Sequence, residues 1–394
     1  MTDLAHTNQP MLHLTEGGPT YRIEKRLGLV REESPHILRR ALLAVLVTWV
    51  PLLALSALQG AAIGHRVDVP FLRDFAVHAR FLLALPLLFI GEIVLGPHLG
   101  HASAHFVHSG LVHEEDFGRF DRAIGDGLRW RDSTLAEVLL VFLAYSFAAI
   151  GLTSMAVQAS TWYAIHSGST VTLTWAGWWF VLFCVPFFHF LILRWLWRLF
   201  LWGQFLWRMS KLNLQLIATH PDESGGLAFV GESHRFFAII LFAVSITVSG
   251  ILANELVYDK VSLQQFAPMI AAYVIVMVVL FLLPLFVFAP ILLKTKRAGL
   301  YKYGTLATEY TASFQKKWVE TKPPREEALL GTGDIQSLAD LGNSFAFIEK
   351  MDPVPMGPRT PLALVAACLI PMVPLLLTVM PLKDVLRMLL KFAV

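Results

Sequence analysis

The sequence predicts an all-α fold: a polytopic membrane bundle of about seven transmembrane helices with a cytoplasmic N-terminus. Three observations predict it. Apolar residues make up 56% of the 394-residue chain and charged residues 15%. The apolar residues fall in runs of ~20, the length that spans the hydrocarbon core as a helix. Lys and Arg are unevenly placed: 25 of the 32 lie in segments that alternate to one side and 7 in those on the other. The positive-inside rule makes the richer side cytoplasmic. A net charge of +3 gives no reason to expect a nucleic-acid partner; the lipid bilayer is the expected surrounding, with a second copy or a partner membrane subunit as further candidates.

Residues 1–40 read as a cytoplasmic tail. Arg22, Lys25, Arg26, Arg31, Arg39 and Arg40 precede a first span at about 41–63, which is expected to act as a signal anchor because no cleavable leader pattern precedes it. A six-span domain is expected over 41–293, with further spans near 81–99, 135–159, 174–193, 236–256 and 267–293. Its cytoplasmic connections fall at about 100–134 and 194–235. The fourth span runs on into RWLWRLFLWGQFLWRMSK, whose interleaved Trp and Arg predict a bend and a helix lying along the cytoplasmic face. Residues 294–360 read as a cytoplasmic helical segment, stopped at Pro323 and Pro324 and followed by a helix striped with Ile335, Leu338, Leu341, Phe345 and Ile348. Residues 361–394 hold a last span, which Pro371, Pro374 and Pro381 could instead turn into a re-entrant hairpin, and an amphipathic end. Cys184 and Cys368 lie inside apolar runs and read as packing residues.

The chemistry concentrates between residues 80 and 137. Glu92 sits inside a span, where a carboxylate is costly and faces protein or a water-filled cavity; it is the candidate proton or cation site. His98, His101, His105 and His108 follow at spacings of three, four and three, which place them within about 80° of arc on one helix face. Neighbouring imidazoles can share a transition metal, with His220 and Asp222 from the same side as further ligands. The loop His220-Pro221-Asp222-Glu223-Ser224-Gly225-Gly226 is either a chain-reversing turn or a ligand loop, with Glu223, Gly225 and Gly226 as its candidates. Thr134 and Glu137 have capping-box spacing, which by itself accounts for Glu137.

Four stretches resemble a group of bacterial integral membrane proteins with no established activity: RFLLALPLLFIGE, the pattern from Phe120 to Glu137 ending in RDSTLAE, HPDESGGLAF, and IQSLADLGNSFAFIEKM. The resemblance implies a bacterial inner-membrane location and no particular reaction. From the residues, the leading expectation is binding or transport of a small solute or ion through the bundle. The alternatives are a membrane-embedded metal-dependent enzyme built on the histidines and the HPDE loop, and a structural or signalling subunit docking through residues 294–360. No nucleophile stands at recognisable spacing from a base.

Overall fold

The computed structural model describes residues 11–30, 37–155, 160–167, 170–259, 261–320, 331–378 and 383. Arg31, the Pro323–Pro324 stop and the amphipathic end, except Lys383, lie outside the described residues.

Among the described residues, seven helical stretches are long and apolar enough to cross a membrane. After α1 (Pro19–Arg26), the first is α2 (Ile37–Leu58). The second joins α3 (Phe75–His78), a π-helical turn (Ala79–Ala84) and α4 (Leu85–His108). The amphipathic α5 (Phe117–Arg131) leads to the third, α6 (Thr134–Met155). A two-stranded antiparallel hairpin, β1 (Ala164–Ser167) and β2 (Thr170–Leu173), precedes the fourth, which joins α7 (Trp175–Trp179), a second π turn (Phe180–Cys184) and α8 (Val185–Met209). Then come α9 (Ala228–His234), α10 (Ala238–Tyr258), α11 (Leu263–Leu282) and α12 (Ala289–Phe314). Beyond them α13 (Gly333–Lys350) folds back on α12, and α14 (Arg359–Leu369) with the 3-10 segment Ile370–Thr378 forms the seventh.

Two ends of the bundle are defined by cross-contacts. At the far end Asp74 binds Trp162 and Asn254, and Gln59 caps the start of α7. At the other, the tail end, residues 11–27 lie across the bundle rather than hanging from it. Leu12 and Leu14 are fully buried. The Leu12 N–H donates to Ser103 Oγ (2.9 Å), Arg131 donates to the His13 carbonyl (2.5 Å), and the Gly18 N–H donates to Asp132 (2.7 Å). Glu137 completes this dock: its Oε2 accepts from the Thr20 N–H and hydroxyl, both at 2.8 Å. The capping-box expectation is therefore corrected. Ser133 caps α6 through the Ala136 N–H (3.3 Å), which leaves Glu137 free to bind α1.

The fourth span also departs from expectation: Arg194, Trp195, Arg198 and Trp202, read as interfacial, are buried. Arg194 and Arg198, four residues apart, share the inward side of a helix that runs unbroken to Met209, and their charges are answered there by Glu92. Trp195 is buried and donates to the Leu88 carbonyl at 3.0 Å. The last span runs the length of the bundle: Thr360 donates to Gly231 at the tail end, while Met372 and Leu375 pack on Leu252 toward the far end. α13 packs on α12, with Ile348 of its stripe buried, Ile335 left exposed, and Asp334 held by Lys317 and Trp318, each at 2.9 Å.

Candidate functional site

Two prolines shape the middle of the bundle. Proline has no N–H to return to the carbonyl four residues back, and its ring crowds that carbonyl. Ahead of Pro86 and ahead of Pro186 the helix widens by one residue. Leu85 N–H reaches back five residues to Arg80, and Val185 N–H reaches back five to Phe180. The carbonyl that Pro186 cannot serve, that of Leu182, accepts from the Tyr145 hydroxyl instead (3.1 Å). Such widened turns are frequent at functional sites.

Between these two turns and α6 lies a cavity of about 160 Å³, lined by Arg80, Phe147, Ala148, Gly151, Phe180, Val181, Val185 and His189. Arg80 is only 8% exposed. Among the described residues its guanidinium makes no hydrogen bond or ion pair; it stands over the rings of Phe180 (5.9 Å) and Phe188 (5.8 Å). The nearby carboxylate, Asp74, is already engaged. Its Oδ1 accepts from the Val77 N–H (3.1 Å) and from Asn254 (2.8 Å), and its Oδ2 from Trp162 (2.8 Å). His189 brings a second polar group, with a buried Nδ1 that has no partner among the described residues. A buried cation and a histidine ring therefore border one cavity.

Toward the tail end lies the second cluster, around Glu92. Its Oε2 accepts from Arg40 (2.6 Å) and its Oε1 from Arg198 (2.8 Å), with Arg194 at 4.0 Å. Arg40 also pairs with Glu24 of α1 (2.7 Å) and stands over Phe89, while Arg198 reaches the Thr15 carbonyl (3.4 Å) and stacks on Trp195. Three buried arginines thus meet two carboxylates. Arg40 is the fourth residue of α2, so this cluster sits level with the tail-end entry of the first span.

The four histidines do share α4, but the structure does not gather them. His98 Nδ1 lies 2.6 Å from the Val94 carbonyl and its ring rests on Phe236; His101, His105 and His108 are exposed, His105 against Phe229. Among the described residues no group of three or more His, Cys, Asp or Glu is placed to hold a metal ion.

The HPDE loop is a closed turn. Asp222 accepts from the N–H groups of Ser224 (2.9 Å), Gly226 (3.1 Å) and Ala228 (3.0 Å), and pairs with His220 (2.7 Å). Ala228 is the first residue of α9, so the same carboxylate caps that helix. Glu223 adopts φ 54°, Gly225 φ 65° and Gly226 φ 98°, and the Glu223 carbonyl accepts from Asp352 (2.7 Å). Burial works to raise the Asp222 carboxyl, but the three amides and His220 outweigh it and hold it below the ordinary carboxylate value. A carboxyl held low in the folded state stabilises above its unfolded pKa of ~3.9 and loses that contribution as pH falls through the folded value. Asp222→Ala is expected to destabilise the chain by about 1–2 kcal/mol at pH 7, the worth of a helix cap. Thermal unfolding should show the difference from the unaltered chain shrinking below about pH 4.

Seven apolar helices, lengthwise packing and buried ion clusters define a multi-pass integral membrane protein of the helical-bundle class. No protein-family model, no curated protein and no solved structure matches the chain.

Proposed function

We propose that this protein binds a small anion inside the bundle, in the cavity beside Arg80, as the loading step of solute movement across a membrane. One observation carries the reading: a buried arginine faces a cavity with no acceptor of its own among the described residues. A buried charge without a partner is strongly unfavourable, and an occupant carrying negative charge removes that penalty. The cavity size fits an inorganic anion or a short carboxylate, and the His189 ring supplies a second polar group on its wall. The arginine-rich cluster around Glu92 supplies a further positive region toward the tail end, with Glu92 as its fixed counter-ion. Both Glu92 oxygens are engaged by arginines, which favours this role over a cation site. A bacterial inner-membrane setting with a cytoplasmic tail end fits the positive-inside asymmetry.

The test is a titration in detergent. Protein exchanged into gluconate buffer is titrated with chloride, nitrate, formate and phosphate while the unfolding midpoint is followed. A saturable rise with at least one anion is expected, lost in Arg80→Gln and weakened in His189→Ala. Arg80→Gln should elute as the unaltered protein does on size exclusion. No saturable response to any of the four, or an unchanged response in Arg80→Gln, would sink the reading. In proteoliposomes the same variant should lose flux of whichever anion binds.

A further inference from the structure

We propose that the outer face of the bundle between α8 and α11–α12 is a binding site for an anionic phospholipid, its acyl chains in an apolar groove and its phosphate against Lys294 and Lys302. The site is separate from the Arg80 cavity and does not depend on it.

The groove encloses about 480 Å³ between Phe200, Gly203 and Trp207 of α8 and Leu280, Pro284 and Val287 opposite. Beyond its tail end lies a second pocket of about 380 Å³ of mixed polarity, bordered by Asn213, Lys294, Thr295, Lys302 and Tyr303 among others. The two run on from each other along both walls. Val287 lines the first and Ile291 the second, four residues apart and one turn along. On the other wall Trp207 lines the first, Lys211 stands 5.7 Å from its ring, and Leu212 lines the second.

Charge is divided as an amphiphile requires. Residues 263–293 carry no Lys, Arg, Asp or Glu, and Lys294 is the first charge after them. Lys294 and Lys302 are exposed and neither forms an ion pair among the described residues. They lie eight residues apart, ~12 Å along the helix, a gap that two flexible four-carbon stems can close on one headgroup. Trp207, exposed at the junction, is the residue type that favours the headgroup level. A soluble anion would leave the apolar groove uncovered, and a second copy would bring the same lysines against each other. An anionic lipid satisfies both halves at once.

The test uses the full chain, delipidated in detergent and titrated with phosphatidylglycerol or phosphatidylcholine of matched acyl chains, with retained lipid counted by native mass spectrometry. Phosphatidylglycerol is expected to be retained preferentially. Lys294→Gln/Lys302→Gln should lower its retention about 25-fold, roughly fivefold for each lysine near a charged lipid surface, and lower that of phosphatidylcholine, whose choline offsets its phosphate, far less, so that the preference is lost. Gly203→Leu should weaken both lipids alike, because its side chain fills the groove while its Cβ meets only Pro284 at an ordinary 3.5 Å. Equal retention of the two lipids by the unaltered chain overturns the proposal, as does a preference that survives the loss of both lysines. Displacement of phosphatidylglycerol by equimolar inorganic phosphate overturns it in favour of a soluble anion. A doubled mass without lipid, abolished in Gly203→Leu, overturns it in favour of a second copy.

Discussion

Glu92→Gln is expected to destabilise the bundle by about 3–5 kcal/mol, because it removes the charge that three arginines share. Arg40, Arg194 and Arg198 are each 5% exposed or less. In the variant only Glu24 remains among the carboxylates that pair with them, and it pairs with Arg40 alone. The amide can still accept hydrogen bonds but cannot offset the Coulomb repulsion in a site shielded from solvent. Fluorescence-detected size exclusion after a heating series should show the midpoint fall sharply. Glu92→Gln/Arg198→Met should recover part of the loss, since it returns the cluster to its original net charge with a side chain that packs. A carboxylate that only relays protons predicts the opposite: Glu92→Gln folds normally and loses flux alone. A midpoint unchanged by Glu92→Gln would therefore remove the counter-ion assignment.

Gly177→Ala is expected to be comparably damaging, at roughly 3 kcal/mol or more, toward the upper end of overpacking effects. A Cβ added there would sit well under 3.0 Å from the Tyr163 carbonyl oxygen, with the Tyr163 carbonyl carbon also too close. The obstacle is backbone, so no rotamer change relieves it. The strand and helix around it are fixed: the Thr174 N–H donates to the Tyr163 carbonyl (3.0 Å), the Thr174 hydroxyl to the Trp162 carbonyl (2.8 Å), and the Gly177 N–H to Thr174 Oγ1 (2.9 Å). Moving Tyr163 disturbs Trp162, and through it Asp74 and Asn254. Unfolding in a mild detergent, compared with Gly118→Ala, where an added Cβ meets nothing within 4 Å among the described residues, isolates the clash from the loss of glycine flexibility.

The spans were legible because a bilayer imposes one simple demand, a long apolar helix, that each segment answers alone. Glu92 was legible for the same reason, as a charge where charges are rare. Its partners were not. Arg194 and Arg198 read as interfacial side chains among tryptophans, since their inward direction depends on where α4 and α2 pack. Arg80 stands one residue before an apolar run and looks like an ordinary boundary arginine. The only local signal is that Arg80 and Phe180 each precede a proline by six residues, and a proline in sequence marks a kink without saying that the turn ahead of it widens. The histidine stripe shows the converse: the spacing was right for one helix face, but a metal also needs ligands from other elements, which periodicity within one helix cannot supply. Asp222 was placed in a loop correctly, while its caps on Ser224, Gly226 and Ala228 are a matter of backbone direction that composition does not carry.

The order in which the ribosome delivers these partners follows from the strap of residues 11–27 and from the Glu92 cluster. Arg198 lies 183 residues after Thr15 and 106 after Glu92, whereas Arg40 lies only 52 before Glu92. At translation rates of ~5–20 residues per second, Thr15 waits roughly 10–40 s for its anchor. Glu92 reaches the bilayer with Arg40 already made and exchanges a single escort for three only when the fourth helix arrives. Most of the strap's anchors, from Ser103 to Glu137, are made before the fourth crossing, and only its contact at Thr15 has to await Arg198; protection from protease during synthesis would therefore come in two steps, the second a clock for the fourth crossing.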